Sequence, residues 1–198
     1  MRHFRFSLLI LAVSLAGLPA LAQAPEPPAP AAQPASPDET DHLAPLFNAL
    51  KRERDPDKAR GIASQIVSEW SDSKSATVNL LMQWATTAVG EKRNAAALDF
   101  LDQVTVLQPG YAEAWNRRAG LHYAMGNPRK SMADINQVLI REPRHFGALA
   151  GMAGILAEGG QDEMALKAWE RYLALYPADR DAQDAAAQLS EKLAGNRI

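Results

Sequence analysis

The chain is predicted to be all-α, a stack of helix-turn-helix hairpins closed by a C-terminal helix. Three observations carry this prediction. Pro109, Pro143 and Pro177 stand 34 residues apart, and each follows an apolar helical run: FLDQVTVLQP, DINQVLIREP and AWERYLALYP. When 78–111, 112–145 and 146–179 are laid in register, small residues recur at position 8 (Ala85, Ala119, Ala153) and at position 20 (Ala97, Ser131, Ala165). Bulky residues recur at position 4 (Leu81, Trp115, Leu149) and position 24 (Leu101, Ile135, Trp169). The composition agrees, with 47% hydrophobic residues and 7% aromatic, and with alanine, leucine and charged residues dominating.

The elements follow in chain order. MRHFRFSLLILAVSLAGLPALAQA opens with a basic start (Met1 to Arg5), continues through an apolar run from Phe6 to about Leu18, and breaks at Pro19. Ala20 and Ala22 supply small residues at the −3 and −1 places. This is the layout of a secretory signal peptide over 1–22, cut between Ala22 and Gln23. The apolar run is too short to span a membrane comfortably, which opposes an uncleaved anchor. Residues 23–39 are rich in proline and alanine and bury no core, so a disordered linker leaning to polyproline II is predicted. Residues 40–77 read as a first hairpin. Leu43, Leu46, Phe47 and Leu50 make one apolar face, and Ala59, Ile62, Ala63, Ile66 and Trp70 make another, with Asp55-Pro56-Asp57 as the turn. Its register is offset from the 34-residue ruler by SDSKSAT, so it is expected to be a degenerate repeat capping the start of the array. The three regular units come next. Residues 180–198 then supply a polar capping helix and tail with a narrow Ala/Leu stripe.

Stacking physics explains the pattern. Small residues at positions 8 and 20 let the two helices of a unit approach closely. Bulky residues fill the layer between units. The proline at position 32 cannot continue the second helix and ends it. One hairpin alone cannot bury its apolar face, whereas a stack makes a continuous core.

AEAWNRRAGLHYAMGNPRKSMADINQVLIREP is the clearest unit, with Trp115, Ala119, Tyr123, Gly126, Ser131, Val138 and Pro143. It resembles the tetratricopeptide repeat family, and so does GALAGMAGILAEGGQDEMALKAWERYLALYP. VNLLMQWATTAVGEKRNAAALDFLDQVTVLQP is a looser third. The resemblance implies a right-handed superhelical α-solenoid that binds protein partners. Arg118 and His122 stand where apolar and large aromatic residues are usual, and Tyr172 stands where a small one is usual. In the first turn, GEKRN, Gly90 comes two places early, so local repacking is expected there.

Several function classes are excluded. The chain has no cysteine, hence no disulfide framework, thiolate zinc site or cysteine nucleophile. It has no phosphate-binding glycine loop, no His-Glu-x-x-His pair, no acidic calcium loop and no nucleophile elbow. His42, His122 and His145 fall in three different elements without an acid at ligand spacing. His122 is expected to pack and His145 to be a solvated turn residue. Trp84, Trp115 and Trp169 are expected in the core. No catalytic residue, cofactor or metal site is predicted. Without Arg2 and Arg5 the charge is 19 basic against 23 acidic residues, or −4, which disfavours nucleic acid as a partner. No membrane insertion is expected after signal cleavage.

What remains is a surface. The resemblance implies that the first helix of each unit lines a concave groove with positions 2, 5, 6, 9, 12 and 13. The candidates there are Asn79, Gln83 and Thr86, then Asn116, Arg117 and Tyr123, then Gly147, Gly151 and Gly154. Asn and Gln bond a peptide backbone, Arg117 takes a carboxylate, and Tyr123 offers an amphipathic platform. The three glycines leave one stripe of a helix bare. Family members that clamp C-terminal carboxylates use Lys and Asn at places where this chain has Met82, Thr86, Glu113 and Gly147, so that clamp is absent. The expected function is an exported, non-enzymatic interaction scaffold in a bacterial periplasm, with a protein or peptide partner. The alternative is an accessory or self-assembling component of a cell-envelope complex. The oligomeric state stays open.

Overall fold

A computed structural model describes residues 41–195. The expected signal peptide, its Ala22–Gln23 cleavage site and the linker over 23–39 lie outside the described residues. Nine helices run through the described part: α1 (Ala44–Arg52), α2 (Pro56–Ser71), α3 (Ala76–Gly90), α4 (Asn94–Leu107), α5 (Ala112–Ala124), α6 (Pro128–Arg141), α7 (Phe146–Glu158), α8 (Asp162–Leu175) and α9 (Arg180–Gly195). The fold is an all-α solenoid of paired helices.

The 34-residue ruler reappears as backbone geometry. Lys92, Gly126 and Gly160 hold φ of 58°, 74° and 71°, the left-handed conformation that closes a helix. In each turn the next amide donates back to a carbonyl five residues earlier: Arg93 to Ala88, Asn127 to His122 and Gln161 to Leu156. The first turn thus keeps the backbone geometry of the others. Its glycine is two places early, so a lysine carries the strained φ instead. At the far ends, Gln108, Glu142 and Tyr176 donate to Val104, Val138 and Tyr172, and each is followed directly by a repeat proline.

The close approach within each hairpin rests on the expected small residues. Ala85, Ala119, Ala153, Ala97, Ser131 and Ala165 are all buried. Between units, Arg118 replaces an apolar side chain by forming a network. Its guanidinium donates to both carboxylate oxygens of Asp134 at 2.8 and 2.7 Å and to Asp102 at 2.7 Å. Both Arg118 and Arg141 lie over the Trp115 ring, 4.7 and 4.8 Å from its centroid. Such stacking contributes roughly 0.5–2 kcal/mol per pair. His122 packs as expected, with its Nε2 3.9 Å from Asp134 Oδ2. Trp169 packs against Tyr172 at a 5.5 Å centroid distance.

Two expectations fail. Trp84 is 47% exposed and lies at a 5.7 Å centroid distance from Phe100. The hairpin α1–α2 does not cap the start of the stack. Leu43, Phe47, Leu50, Ala59, Ala63 and Ile66 form one core with Phe146, Leu149, Tyr172, Tyr176, Ala178 and Ala182, residues of α7, α8 and the α9 start. The core of α3, α4 and α5 contains no residue of α1 or α2.

Hairpin α1–α2 therefore straps the edge where successive units join. The start of α2 borders Tyr176, Ala178 and Arg180. Its end reaches the joints before α7 and α5, where Trp70 meets His145 and Phe146, and the Tyr111 hydroxyl donates to Ser71 O at 2.9 Å. Asp41 pairs with Arg144, whose guanidinium also lies 4.3 Å from the Phe47 ring centroid. The two helices thus close over aromatic side chains that a free hairpin would leave wet.

Candidate functional site

The groove is built from the first helix of each unit. α5 presents successive residues at helical spacing, so Asn116, Arg117, Gly120 and Tyr123 share one side. α7 presents Gly147, Gly151 and Gly154 opposite them. Ser131 and Ile135 of α6 form the floor, and the open-sided cavity measures about 480 Å³. A second cavity of about 330 Å³ lies between α3 and α5, lined by Ala85, Thr86, Val89, Leu101, Leu121 and Ala124. Arg117 and Gly120 line both cavities, so Arg117 forms the ridge between them.

That ridge is held by a buried carboxylate. Glu113 Oε1 accepts from Arg117 Nε at 2.9 Å, and Oε2 accepts from Asn116 Nδ2 at 3.0 Å. Arg117 also donates from Nη1 to Thr86 Oγ1 at 2.8 Å, which ties α5 to α3. Burial alone would push the Glu113 pKa up. The hydrogen bonds from His145 and Arg117 outweigh it and hold the carboxyl below the ordinary glutamate value.

His145 completes the network. Its Nδ1 accepts the Ala148 amide at 3.1 Å and caps α7. The proton therefore sits on Nε2, which faces Glu113 Oε2 at 3.3 Å. The imidazole is 2% exposed and stacks on Trp70 at 4.2 Å with an interplanar angle of 9°. The expected solvated turn residue is thus a buried link between α5, α7 and the strap. At the other end of the cavity, the Tyr123 hydroxyl donates to Glu158 of α7, and that bond raises the tyrosine pKa.

The glycine stripe has three different local settings. A Cβ on Gly147 would meet His145 Cε1 at 3.4 Å, ordinary contact with the capping imidazole. A Cβ on Gly151 would reach Ile135 Cδ1 at 3.4 Å, ordinary contact, and one on Gly154 would meet nothing within 4 Å. The bare stripe is therefore open space in the cavity wall.

Six of the nine candidate residues line the larger cavity: Asn116, Arg117, Tyr123, Gly147, Gly151 and Gly154. Thr86 lines the adjoining one. Asn79 and Gln83 line neither. Asn79 is spent on the turn before α3, accepting from the Ser73 amide at 3.0 Å and donating to Asp72 at 3.0 Å. Sequence reasoning missed the Glu113–His145 pair. Position 34, occupied by Tyr111 and His145, was the available signal, because both residues turn toward the end of α2. Among the described residues no group of three or more His, Cys, Asp or Glu side chains is placed to hold a metal.

No protein-family model matches the chain. A TPR repeat-containing protein of Rhizobium etli is 65% identical over 155 residues, covering 78% of this chain and 76% of the relative. The chain belongs to the tetratricopeptide repeat family. Solved TPR structures share the fold at low identity. The first TPR domain of Spaghetti (RPAP3), bound to the HSP90 peptide SRMEEVD, is 19% identical with a TM-score of 0.57, covering 62% of this chain and 96% of that one. The Sgt2 TPR domain of Aspergillus fumigatus is 16% identical with a TM-score of 0.56, covering 63% and 84%. MamA (MSR-1) is 14% identical with a TM-score of 0.51, covering 76% and 83%. In TPR terms, α3, α5 and α7 are the first helices of the three 34-residue units, and α1–α2 is offset from that register.

Proposed function

We propose that this TPR protein is an exported, non-enzymatic scaffold that holds a segment of a partner protein in its concave groove. The observation that carries the reading is the pair of adjoining cavities divided by Arg117. Each is floored by apolar and small side chains and rimmed by polar ones, the make-up of a site for side chains of a bound chain. Because Arg117, Asn116 and Tyr123 are already hydrogen-bonded within the fold, the groove is preorganised. Little side-chain entropy then remains to be lost on binding. The TPR domain of RPAP3 holds a peptide, which supports a peptide or protein partner here. With Met82, Thr86, Glu113 and Gly147 at the places of the carboxylate clamp, the recognised feature is apolar side chains and backbone rather than an acidic chain end. The basic start, apolar run and small residues of 1–22 support export to a bacterial periplasm.

Two experiments test this. Intact mass of the protein recovered from the periplasmic fraction should match a chain starting at Gln23. A cytosolic chain retaining Met1 sinks the export reading. Partner capture from cells should be lost with Gly151→Leu and Arg117→Glu while the helical spectrum is kept. Capture unaffected by both variants overturns the groove.

A further inference from the structure

Among the described residues, the start of the stack is an uncovered layer. In the second and third units, the residues at positions 3 and 10 pack into the unit before: Ala114 and Leu121 are buried with α3 and α4, and Ala148 is buried with α5 and α6. The same positions in the first unit are Leu80 and Thr87, with Trp84 between them at position 7. Leu80 is 43% exposed and Trp84 47%, and on α4 Leu107 is 60% exposed. No described helix stacks on this face, because α1–α2 packs on α7, α8 and the α9 start instead. In a repeat array, a position that is buried whenever a neighbour is present marks the surface that a neighbour fits.

We infer that this face pairs with the same face of a second copy, giving a two-fold symmetric, head-to-head dimer of the array. Two features select a second copy. The fifteen residues of α3, in a chain with 22% charged residues, include no Asp, Glu, Lys or Arg, so two copies of α3 meet without like-charge repulsion. The opposite end of the stack is covered by α9, whose exposed residues include Gln183, Asp184, Gln188, Glu191 and Lys192, so a head-to-tail contact would set the uncharged α3 against a largely polar helix face. A face that pairs with itself closes at two. The footprint sets the strength. A fifteen-residue helix is about 22 Å long, and α3 and α4 side by side at a spacing of about 9 Å make a patch on the order of 400 Å² per copy. The pair thus buries roughly 800–900 Å², below the ~1,200 Å² typical of stable complexes. The dimer is weak and concentration-dependent.

Sedimentation velocity of the purified full chain tests this between micromolar and millimolar concentration. The expected result is a monomer passing to a dimer and stopping there. Trp84→Lys and Leu107→Lys should each weaken the dimer at least tenfold with an unchanged circular dichroism spectrum. A second arm needs no disruptive substitution. The chain has no cysteine, so Thr87→Cys with a short bis-maleimide should give a covalent dimer, and Gln188→Cys on α9 should not. A monomer at millimolar concentration overturns the inference. So does a dimer indifferent to both lysine variants, a series growing beyond two, or crosslinking from Gln188→Cys alone.

Discussion

Replacing Trp70 by alanine should release the strap while leaving the array folded. The indole stacks face to face on His145 and makes tilted contacts with Phe47 at 5.9 Å and Phe146 at 5.0 Å. Its Nε1 is buried without a hydrogen-bond partner, so the substitution forfeits packing and no hydrogen bond. Trp70 is partly buried, and covering at least about two-thirds of a tryptophan side chain of about 200 Å² corresponds to about 3 kcal/mol or more at ~25 cal/mol per Å². That sits at the low end of the roughly 3–5 kcal/mol seen for large aromatic-to-alanine changes in cores. The assay is urea unfolding with amide hydrogen exchange. Protection should fall mainly across α1 and α2, where Leu50 and Ile66 are fully buried only because the strap is docked. The helices α3 and α4, whose core holds no strap residue, should keep theirs. A loss below about 0.5 kcal/mol, the range of surface substitutions, would refute the reasoning. Equal loss of protection in α4 and α2 would do the same.

Other outcomes follow from the same contacts. Lys92→Gly should stabilise the chain by about 1 kcal/mol in thermal unfolding, because glycine takes the left-handed φ of 58° without steric cost. Gly151→Ala with Gly154→Ala should stabilise by about 1–2 kcal/mol, since both Cβ positions are free of clashes and each glycine is poor in a helix interior. The Glu113 carboxyl has a lowered pKa in the fold, so its stabilising contribution is present above the unfolded glutamate value of about 4.3 and is lost as pH falls through the folded value. Glu113→Gln should therefore lower the melting temperature at neutral pH and flatten the decline measured in acid. An unchanged acid limb would count against the network.

The array was legible because its signals are local and repeat. The prolines, the close-packed alanines and the turn positions each occur three times at one spacing, so each unit checks the others. The strap was not legible in this way. Its hairpin was visible from the faces of Leu43, Phe47 and Leu50 and of Ala59, Ala63 and Ile66, but its docking depends on contacts such as Trp70 with His145, far apart in sequence. Periodicity says that a face is buried and leaves open what covers it. Trp84 shows the same limit. Its register position is a core position only where a preceding unit lies against it. The groove was legible in part. The glycine stripe and Arg117 are register positions, whereas Glu113 and His145 matter through a hydrogen-bond network that joins two units. Asn79 shares the register of groove residues yet serves its own turn.

The central claim is that the groove between α5 and α7 holds a partner segment. A photo-crosslinking residue placed at Gly154, where nothing lies within 4 Å of a Cβ, tests it in living cells against the same residue at Ile140, which is 72% exposed on α6. The account predicts a discrete adduct from position 154, abolished by Gly151→Leu, and none from position 140. Adducts from position 140 with silence at 154 would contradict it.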